Sequence, residues 1–346
     1  MASESVAAHI DARVLVGLGA ELRALGEDPE GLGEATGIAR ATWASPSGEV
    51  ALDRFVALLE AAGDRSRDAG FVWRCGRRTV ATNLAEMFPA ADGPLALGDA
   101  LRLIVLTLNL LQTDSVFGFR VDGDLATVEY RVLDPAIWPR ARDVEFTFGF
   151  LDGVVRRYAG GDFLPAGLVF EHEPPGRTGR IDGALGVACT YGGAINALSI
   201  PGRLLSLAPR AAADATPVIA GLAAALAARD AALGLPQRLR RAVYALVGAG
   251  AIDQATVAAA CGLTERTLRR RLAAAGLSFR AEVERLKMDY ASEALARTSL
   301  PLGEIAWRLG YAEQSSFSRA FRRATGTAPI TLRRAAEAPA DVRRLS

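Results

Sequence analysis

The sequence predicts an α+β N-terminal domain followed by an all-α domain of two helix-turn-helix units joined by a long helix. Three observations predict this fold. The last third of the chain repeats a pattern of short helix, glycine turn and second helix, the earlier part mixes helical and two-residue periodicity, and charge is divided unevenly. The 346 residues, half of them hydrophobic, suffice for two domains that each bury a core.

Composition excludes several classes of protein. Cys75, Cys189 and Cys261 show no C-x-x-C spacing, so neither a disulfide framework nor a zinc site is predicted. The longest apolar runs, 101–111 and 216–228, fall short of the roughly 18 residues that a membrane span needs. The N-terminus lacks a basic region leading into an apolar one. We therefore expect a soluble, cytoplasmic chain that binds no metal and no membrane.

The N-terminal elements follow from periodicity. Residues 12–25, 50–63 and 97–111 have apolar stripes at helical spacing, which predicts core helices. Residues 117–132 alternate apolar and polar positions around Asp122-Gly123, a hairpin signal.

The later part of this domain continues the mixture. Residues 144–160 are expected to form a helix after Pro139, despite their β-forming side chains. Residues 167–175 and 196–202 are expected to form strands bounded by prolines, because proline ends regular pairing. The domain is therefore predicted to be α+β.

No catalytic centre is predicted. The chain has only two histidines, too few for a multi-histidine metal site. On a strand, Glu171 and Glu173 would point away from the face of His172, so a structural histidine is favoured over a catalytic one. No P-loop, nucleophile elbow or dinucleotide fingerprint is present. We expect no cofactor and no enzymatic activity.

The charge is split between the two parts of the chain. Residues 236–346 carry 19 Arg or Lys and 10 Asp or Glu, net +9, whereas residues 1–235 carry 21 and 29, net −8. A basic module attached to an acidic domain is typical of nucleic-acid binding, because phosphate neutralisation needs local positive charge. Lys287 is the only lysine, and a GC-rich genome would also produce that bias toward arginine.

The C-terminal region repeats one motif. Residues 256–276 have helical apolar spacing interrupted at Cys261-Gly262, and Thr264 is placed to cap the helix that follows. Residues 300–326 repeat the pattern with a turn at Gly310, where glycine tolerates positive φ. The segment between them keeps helical spacing for about twenty residues, which predicts one joining helix.

This region resembles the DNA-binding domain of the AraC/XylS family of bacterial transcription regulators. The matching residues of the second unit are Ile305-Ala306, Leu309-Gly310-Tyr311, Ser316-Phe317-Ser318-Arg319, Phe321-Arg322-Arg323, and Gly326 with Pro329. Those of the first unit are Gly262-Leu263-Thr264, Arg266-Thr267-Leu268 and Arg270-Arg271-Leu272. The family usually continues with an aromatic residue and arginine, where this chain has Leu332-Arg333.

The resemblance implies that each unit inserts its second helix into the major groove of double-stranded promoter DNA. It implies base-reading roles for Arg266, Arg269, Arg270, Gln314, Ser315, Ser318 and Arg319, and phosphate contacts for Arg322 and Arg323. The alternative is that these arginines only solvate helix surfaces, and the repeated motif argues against it.

The N-terminal part is similar to the arabinose-binding-type, or OruR-like, domain of the same family. The residues that carry this similarity are Val169, Phe170, His172, Pro174 or Pro175, Asn196, Leu198 and Pro201. Where the family usually has a Phe-Gly pair and further aromatics, this chain has Leu185-Gly186 and Cys189-Thr190-Tyr191. Candidate ligand contacts are Trp73, Tyr130, Phe170 and Tyr191, for each of which a plain core role is the alternative.

The resemblance implies an effector-sensing and dimerisation domain over 1–210, a linker over 211–237, the DNA-binding domain over 238–336 and a tail over 337–346. The linker is either a helix, packing between domains or in a dimer, or a partly flexible connection. The predicted function is a regulator, in the family's habit an activator that touches RNA polymerase, controlled by a small molecule and acting as a homodimer. The alternative is a constitutive DNA-binding or assembly protein whose N-terminal domain only dimerises.

Overall fold

The computed structural model describes residues 8–66, 68–173, 181–209 and 212–337. These residues form two compact units. The first contains residues 8–132 and 139–228, and the second contains 133–138 and 229–337. The boundary near residue 228 falls inside the predicted linker, and the predicted division into four segments stays a prediction. The ends of the predicted N-terminal domain and tail, the start of the linker, and Pro174 and Pro175 lie outside the described residues.

The first unit contains two sheets. Its strands are β1 (His9–Asp11), β2 (Glu49–Ala51), β3 (Ser115–Asp122), β4 (Leu125–Val132), β5 (Gly167–Val169), β6 (Cys189–Thr190) and β7 (Asn196–Pro201). β1 pairs with β2, and the other five form a sheet in the order β3-β4-β7-β5-β6. Among the strands of the described residues, only β5 and β6 run parallel. The predicted hairpin is confirmed as β3 and β4, which turn at Gly123 with φ +55°.

Helices cover the remainder of the first unit. They are α1 (Val14–Ala24), α2 (Pro29–Ala35), α3 (Arg40–Ala44), α4 (Leu52–Arg65), α5 (Phe71–Arg78), α6 (Val80–Met87), α7 (Leu97–Leu111), α8 (Ala141–Ala159) and α9 (Asp182–Leu185). Short 3₁₀ turns lie at Pro89–Ala91 and Gly202–Ser206. The three core helices and the later helix predicted from periodicity are therefore present as α1, α4, α7 and α8.

Glycines let α5 and α8 pack with their backbones in contact. A Cβ atom at Gly149 would lie 2.9 Å from the carbonyl carbon of Trp73 and nearer still to the oxygen. A Cβ atom at Gly76 would meet the backbone of Phe146 in the same way. These distances are shorter than van der Waals contact, so the packing of these two helices requires glycine at both positions.

The strand predicted over residues 167–175 ends early, at Val169. The N–H of Glu171 donates to the side-chain Oδ1 of Asn196 at 2.7 Å, so a side chain replaces the backbone partner and the ladder with β7 stops. Glu171 is then buried and pairs with the guanidinium groups of Arg131, at 3.2 Å, and Arg140. The expectation that Glu171 sits on a strand, facing away from His172, is wrong for this reason.

The second unit is helical apart from its short N-terminal segment. α10 (Thr216–Ala232) begins in the first unit and ends in the second. The second unit continues with α11 (Leu235–Leu246), α12 (Gln254–Ala260), α13 (Glu265–Ala274), α14 (Phe279–Arg297), α15 (Leu302–Arg308), α16 (Gln314–Thr325) and α17 (Pro329–Glu337). The predicted fold class, α+β followed by two helix-turn-helix units and a joining helix, is confirmed. Among the described residues no single helix meets the length and apolarity of a membrane span, although α10 and α11 do so as a bent pair.

Candidate nucleic-acid interface

The first helix-turn-helix unit consists of α12 and α13. Gly262 makes the turn between them with φ +65°, a conformation that favours glycine. The predicted cap is present, because the Thr264 hydroxyl accepts a hydrogen bond from the Thr267 N–H at 3.2 Å. Leu268 and Leu272 bury one side of α13, which fixes its opposite side toward solvent.

Arg266, Arg269 and Arg270 project from that solvent side of α13, and all three are exposed. At about 100° per residue they fall within one third of the helix circumference, away from the two buried leucines. None of the three has an acidic partner among the described residues. Their charge is therefore not neutralised within the unit.

The second unit consists of α15 and α16, with Gly310 in the turn at φ +81°. Phe317, Ala320 and Phe321 are buried, and the rings of Phe317 and Phe321 are 5.8 Å apart. This aromatic anchor sets the orientation of α16. The helix ends at Gly326, which has φ +77°.

The opposite face of α16 carries the predicted contact residues. The exposed members are Gln314, Ser315, Arg319, Arg322 and Arg323, and Ser318 is half-buried. Arg319 donates to the Ser316 hydroxyl at 3.1 Å, which restricts the orientation of its guanidinium group. The Ser318 hydroxyl donates to the Gln314 carbonyl oxygen at 2.9 Å, so its proton is engaged within the helix while its lone pairs stay available as acceptors.

α14 joins the two units and contacts the second one. Its 19 residues span about 28 Å at 1.5 Å per residue. The Tyr311 hydroxyl, in the turn of the second unit, donates to Glu284 on α14 at 2.7 Å, and Lys287 lies 5.4 Å from the Tyr311 ring centre. The turn that positions α16 is thus attached to the helix that joins the two units.

The four candidate ligand residues of the first unit do not form one group. Phe170 and Tyr191 stack with ring centres 5.6 Å apart, and His172 packs against both rings. Trp73 lies instead in α5 and donates to Asp152 at 3.3 Å. Tyr130 stacks on a neighbouring ring of β3 at 4.3 Å.

His172 is buried. Its Nδ1 lies 2.9 Å from the carbonyl oxygen of Glu173, and burial lowers the pKa of the ring below its ordinary value. Within the described residues its Nε2 has no hydrogen-bond partner. Among those residues, no group of three or more His, Cys, Asp or Glu side chains is placed to hold a metal ion.

Sequence reasoning missed a pocket in the first unit. It is lined mainly by aliphatic and aromatic side chains of α1, α4, α6, α7 and α8, with Asn83, Gln112, Asp143 and Thr147 as its polar members. Tyr130 lies behind this lining, where its hydroxyl accepts from Gln112 at 2.8 Å and donates to Asp143 at 2.5 Å. Burial raises the pKa of Asp143 to about 6. The only sequence signal was a polar residue at a core-facing position of a helix.

Models of known protein families match both parts of the chain. The family model of the arabinose-binding domain of AraC transcription regulators matches residues 26–208, more than half of the chain. The model of a helix-turn-helix domain matches residues 257–335.

Individual relatives are transcription regulators. The ornithine utilization regulator of Pseudomonas aeruginosa is 33% identical over 48% of this chain and 49% of its own length. The regulator VirS of Mycobacterium tuberculosis is 37% identical over 28% of each chain. The crystal structure of the regulator CdpR from Pseudomonas aeruginosa is 24% identical, covering 92% of this chain and 96% of that one with a TM-score of 0.41. The matches thus span about half, or less, of the curated relatives.

Proposed function

Because the chain belongs to the family of AraC transcription regulators with an arabinose-binding-type N-terminal domain, we propose that it binds promoter DNA sequence-specifically through α13 and α16. The observation that carries the proposal is the pair of exposed helices whose arginines have no acidic partner among the described residues. A helix of ordinary diameter fits the major groove, and arginine can contact guanine there with two hydrogen bonds. The base-reading and phosphate roles predicted above are part of this proposal.

The second part of the proposal is control by a small molecule bound to the first unit. A ligand changes DNA binding only if it prefers one of two arrangements of the protein. The match to an arabinose-binding-type domain supports such a site. The relative named for ornithine utilization makes L-ornithine a reasonable first compound in a screen.

We further propose that the protein acts in the cytoplasm as a homodimer and activates transcription by contacting RNA polymerase. We also propose that it has no catalytic role. The curated relatives named above are regulators, which supports a regulatory rather than an enzymatic function. α10 has no buried side chain among its 17 residues and is almost uncharged, which makes it the candidate dimer contact.

Selection of bound sequences from random duplexes with the full-length chain, at near-physiological salt, tests DNA recognition. Two boxes about one helical turn apart are expected if both recognition helices read bases. Arg319→Ala should then weaken binding to the selected site by about 1–3 kcal/mol and binding to random DNA much less. The matched control is Arg285→Ala, since Arg285 is paired with Glu282 and Asp289. Equal losses on both duplexes would contradict base reading by Arg319.

Ligand control is tested by adding metabolites to the same DNA titration. A compound that binds the folded chain raises its melting temperature by mass action. If no compound changes either DNA affinity or melting temperature, the constitutive alternative, in which the first unit only dimerises, is favoured.

A further inference from the structure

The pocket bordered by α1, α4, α6, α7 and α8 has an unusual balance of polar groups. A narrow cavity of about 40 Å³ lies between these helices, and the atom-free space around it, with the open solvent at its mouth included, is about 490 Å³. Its lining is mostly apolar and includes no Arg, Lys or His. The polar atoms at its wall are therefore chiefly oxygen acceptors and the amides of two side chains.

Asp143 is the charged member of this wall and is 1% exposed. Its Oδ2 accepts the Tyr130 hydroxyl proton, and no donor among the described residues contacts its Oδ1. The nearby charged or titratable groups are Arg140, Tyr130 and Glu60. Arg140 attracts the Asp143 carboxylate and so lowers its pKa, but its salt bridge is to a buried glutamate. Among the described residues Asp143 has no salt bridge of its own.

Asn83 also lines the pocket and is 2% exposed. Its Oδ1 has no hydrogen bond among the described residues, but it packs against α1, where a Cβ atom on Gly17 would lie 2.5 Å from it. This oxygen is therefore not open to a ligand in the cavity. A buried carboxylate oxygen without a donor or a salt-bridge partner is costly. A ligand that brings an N–H donor and a positive charge to Asp143 would reduce this cost.

We propose that this pocket binds the effector, and that the effector is a small organic cation: a primary ammonium group, held by Asp143, on an apolar body. The apolar body contacts the aliphatic and aromatic lining, and the ammonium group donates to Oδ1 of Asp143. An anionic ligand is disfavoured because the wall presents a carboxyl group and no basic side chain. The inference rests on the proposed control by a small molecule and adds the pocket and the ligand class.

Two polar residues of this site lie on either side of a chain segment that belongs to the second unit. Tyr130 near the end of β4 and Asp143 in the first turn of α8 flank Leu133–Trp138, the segment that belongs to the second compact unit. The Tyr130–Asp143 hydrogen bond therefore links the residues just before and just after this segment. A cation at Oδ1 leaves this hydrogen bond to Oδ2 in place, so its effect on the segment acts through the charge of Asp143.

The test uses n-hexylamine, 1-hexanol and hexanoate as probes, with the full-length chain near neutral pH. Ligand-detected NMR titrations should show hexylamine binding at least about tenfold more tightly than hexanol, as expected of a charge-assisted hydrogen bond. Hexanoate should bind weakest. Asp143→Asn should remove the preference for the amine, while Asp53→Asn, which changes an exposed carboxyl of α4, should leave it intact.

A second variant keeps the test decisive if Asp143→Asn does not fold. Leu108 is half-buried and lines the pocket, so Leu108→Trp should block hexylamine and hexanol alike without altering a polar group. Equal binding of amine and alcohol by the wild type, or amine binding that survives Leu108→Trp, overturns the inference.

The proposed regulation is judged by a separate readout. A metabolite that shifts DNA affinity equally in the wild type and in Leu108→Trp would uphold regulation and overturn this pocket as its site. Amine selectivity that is lost in Asp143→Asn, with no metabolite or amine affecting DNA affinity, would uphold the pocket's ligand chemistry and overturn the regulation.

Discussion

Replacing Gly149 by alanine should destabilise the first unit, although alanine is the better helix former. The new Cβ atom would lie 2.9 Å from the Trp73 carbonyl carbon, where ordinary carbon contacts need about 3.5–4.0 Å. Both neighbours are backbone, so the helices themselves must separate by up to about 1 Å. Overpacking of this kind costs about 1–3 kcal/mol, near the upper end here because no side chain can move aside, and helix propensity returns about 1 kcal/mol.

The net loss is therefore about 2 kcal/mol, or roughly 4–8 °C in the Tm of a unit of this size. Thermal melting of the full-length chain, followed by circular dichroism, measures it. The matched control is Gly221→Ala in α10, where a Cβ atom meets nothing within 4 Å and only the gain of up to about 1 kcal/mol is expected. A Tm for Gly149→Ala equal to or above the wild-type value would refute the close-packing argument.

Three further predictions concern charge. Burial raises the pKa of Glu60 to about 7, so its contribution to stability is present near pH 4 and lost as pH rises toward 7; Glu60→Gln should flatten the Tm-versus-pH curve there. Replacing both Arg322 and Arg323 by alanine should lower the salt slope of DNA binding by about 1.8, at about 0.9 per phosphate contact, whereas Arg285→Ala should not. Glu171→Gln should lower the free energy of unfolding, measured in urea, by about 3 kcal/mol or more, because it leaves two buried arginines without their carboxylate. An unchanged unfolding midpoint would contradict that pairing.

The helix-turn-helix units could be predicted in detail because their determinants are local. The cap at Thr264, the turns at Gly262 and Gly310 and the apolar face of α16 all act within a few residues of one another in the chain. Periodicity and turn chemistry report such short-range interactions directly. The same reasoning placed the hairpin and the core helices of the first unit.

The strand at residues 167–175 shows where local reasoning fails. Its β-forming residues continue past Val169, yet pairing with β7 stops where the Asn196 side chain accepts the N–H of Glu171. That hydrogen bond joins residues 25 positions apart. No pattern within the segment contains this information, because the competing acceptor comes from a different strand.

The pocket in the first unit is the feature that the sequence predicts least well, because it also depends on residues that are distant in the chain. Its polar wall unites Asn83, Gln112 and Asp143 from three separate parts of the chain, and each of them alone resembles an isolated polar residue in an amphipathic helix. What distinguishes Asp143 is that it is buried with one oxygen bonded to Tyr130 and the other without a donor among the described residues, which only the packed helices reveal. Natural cores rarely keep such groups without a use, since each costs about 1–3 kcal/mol. The cost at Asp143 is therefore the strongest reason to look for a donor-bearing ligand in the first unit.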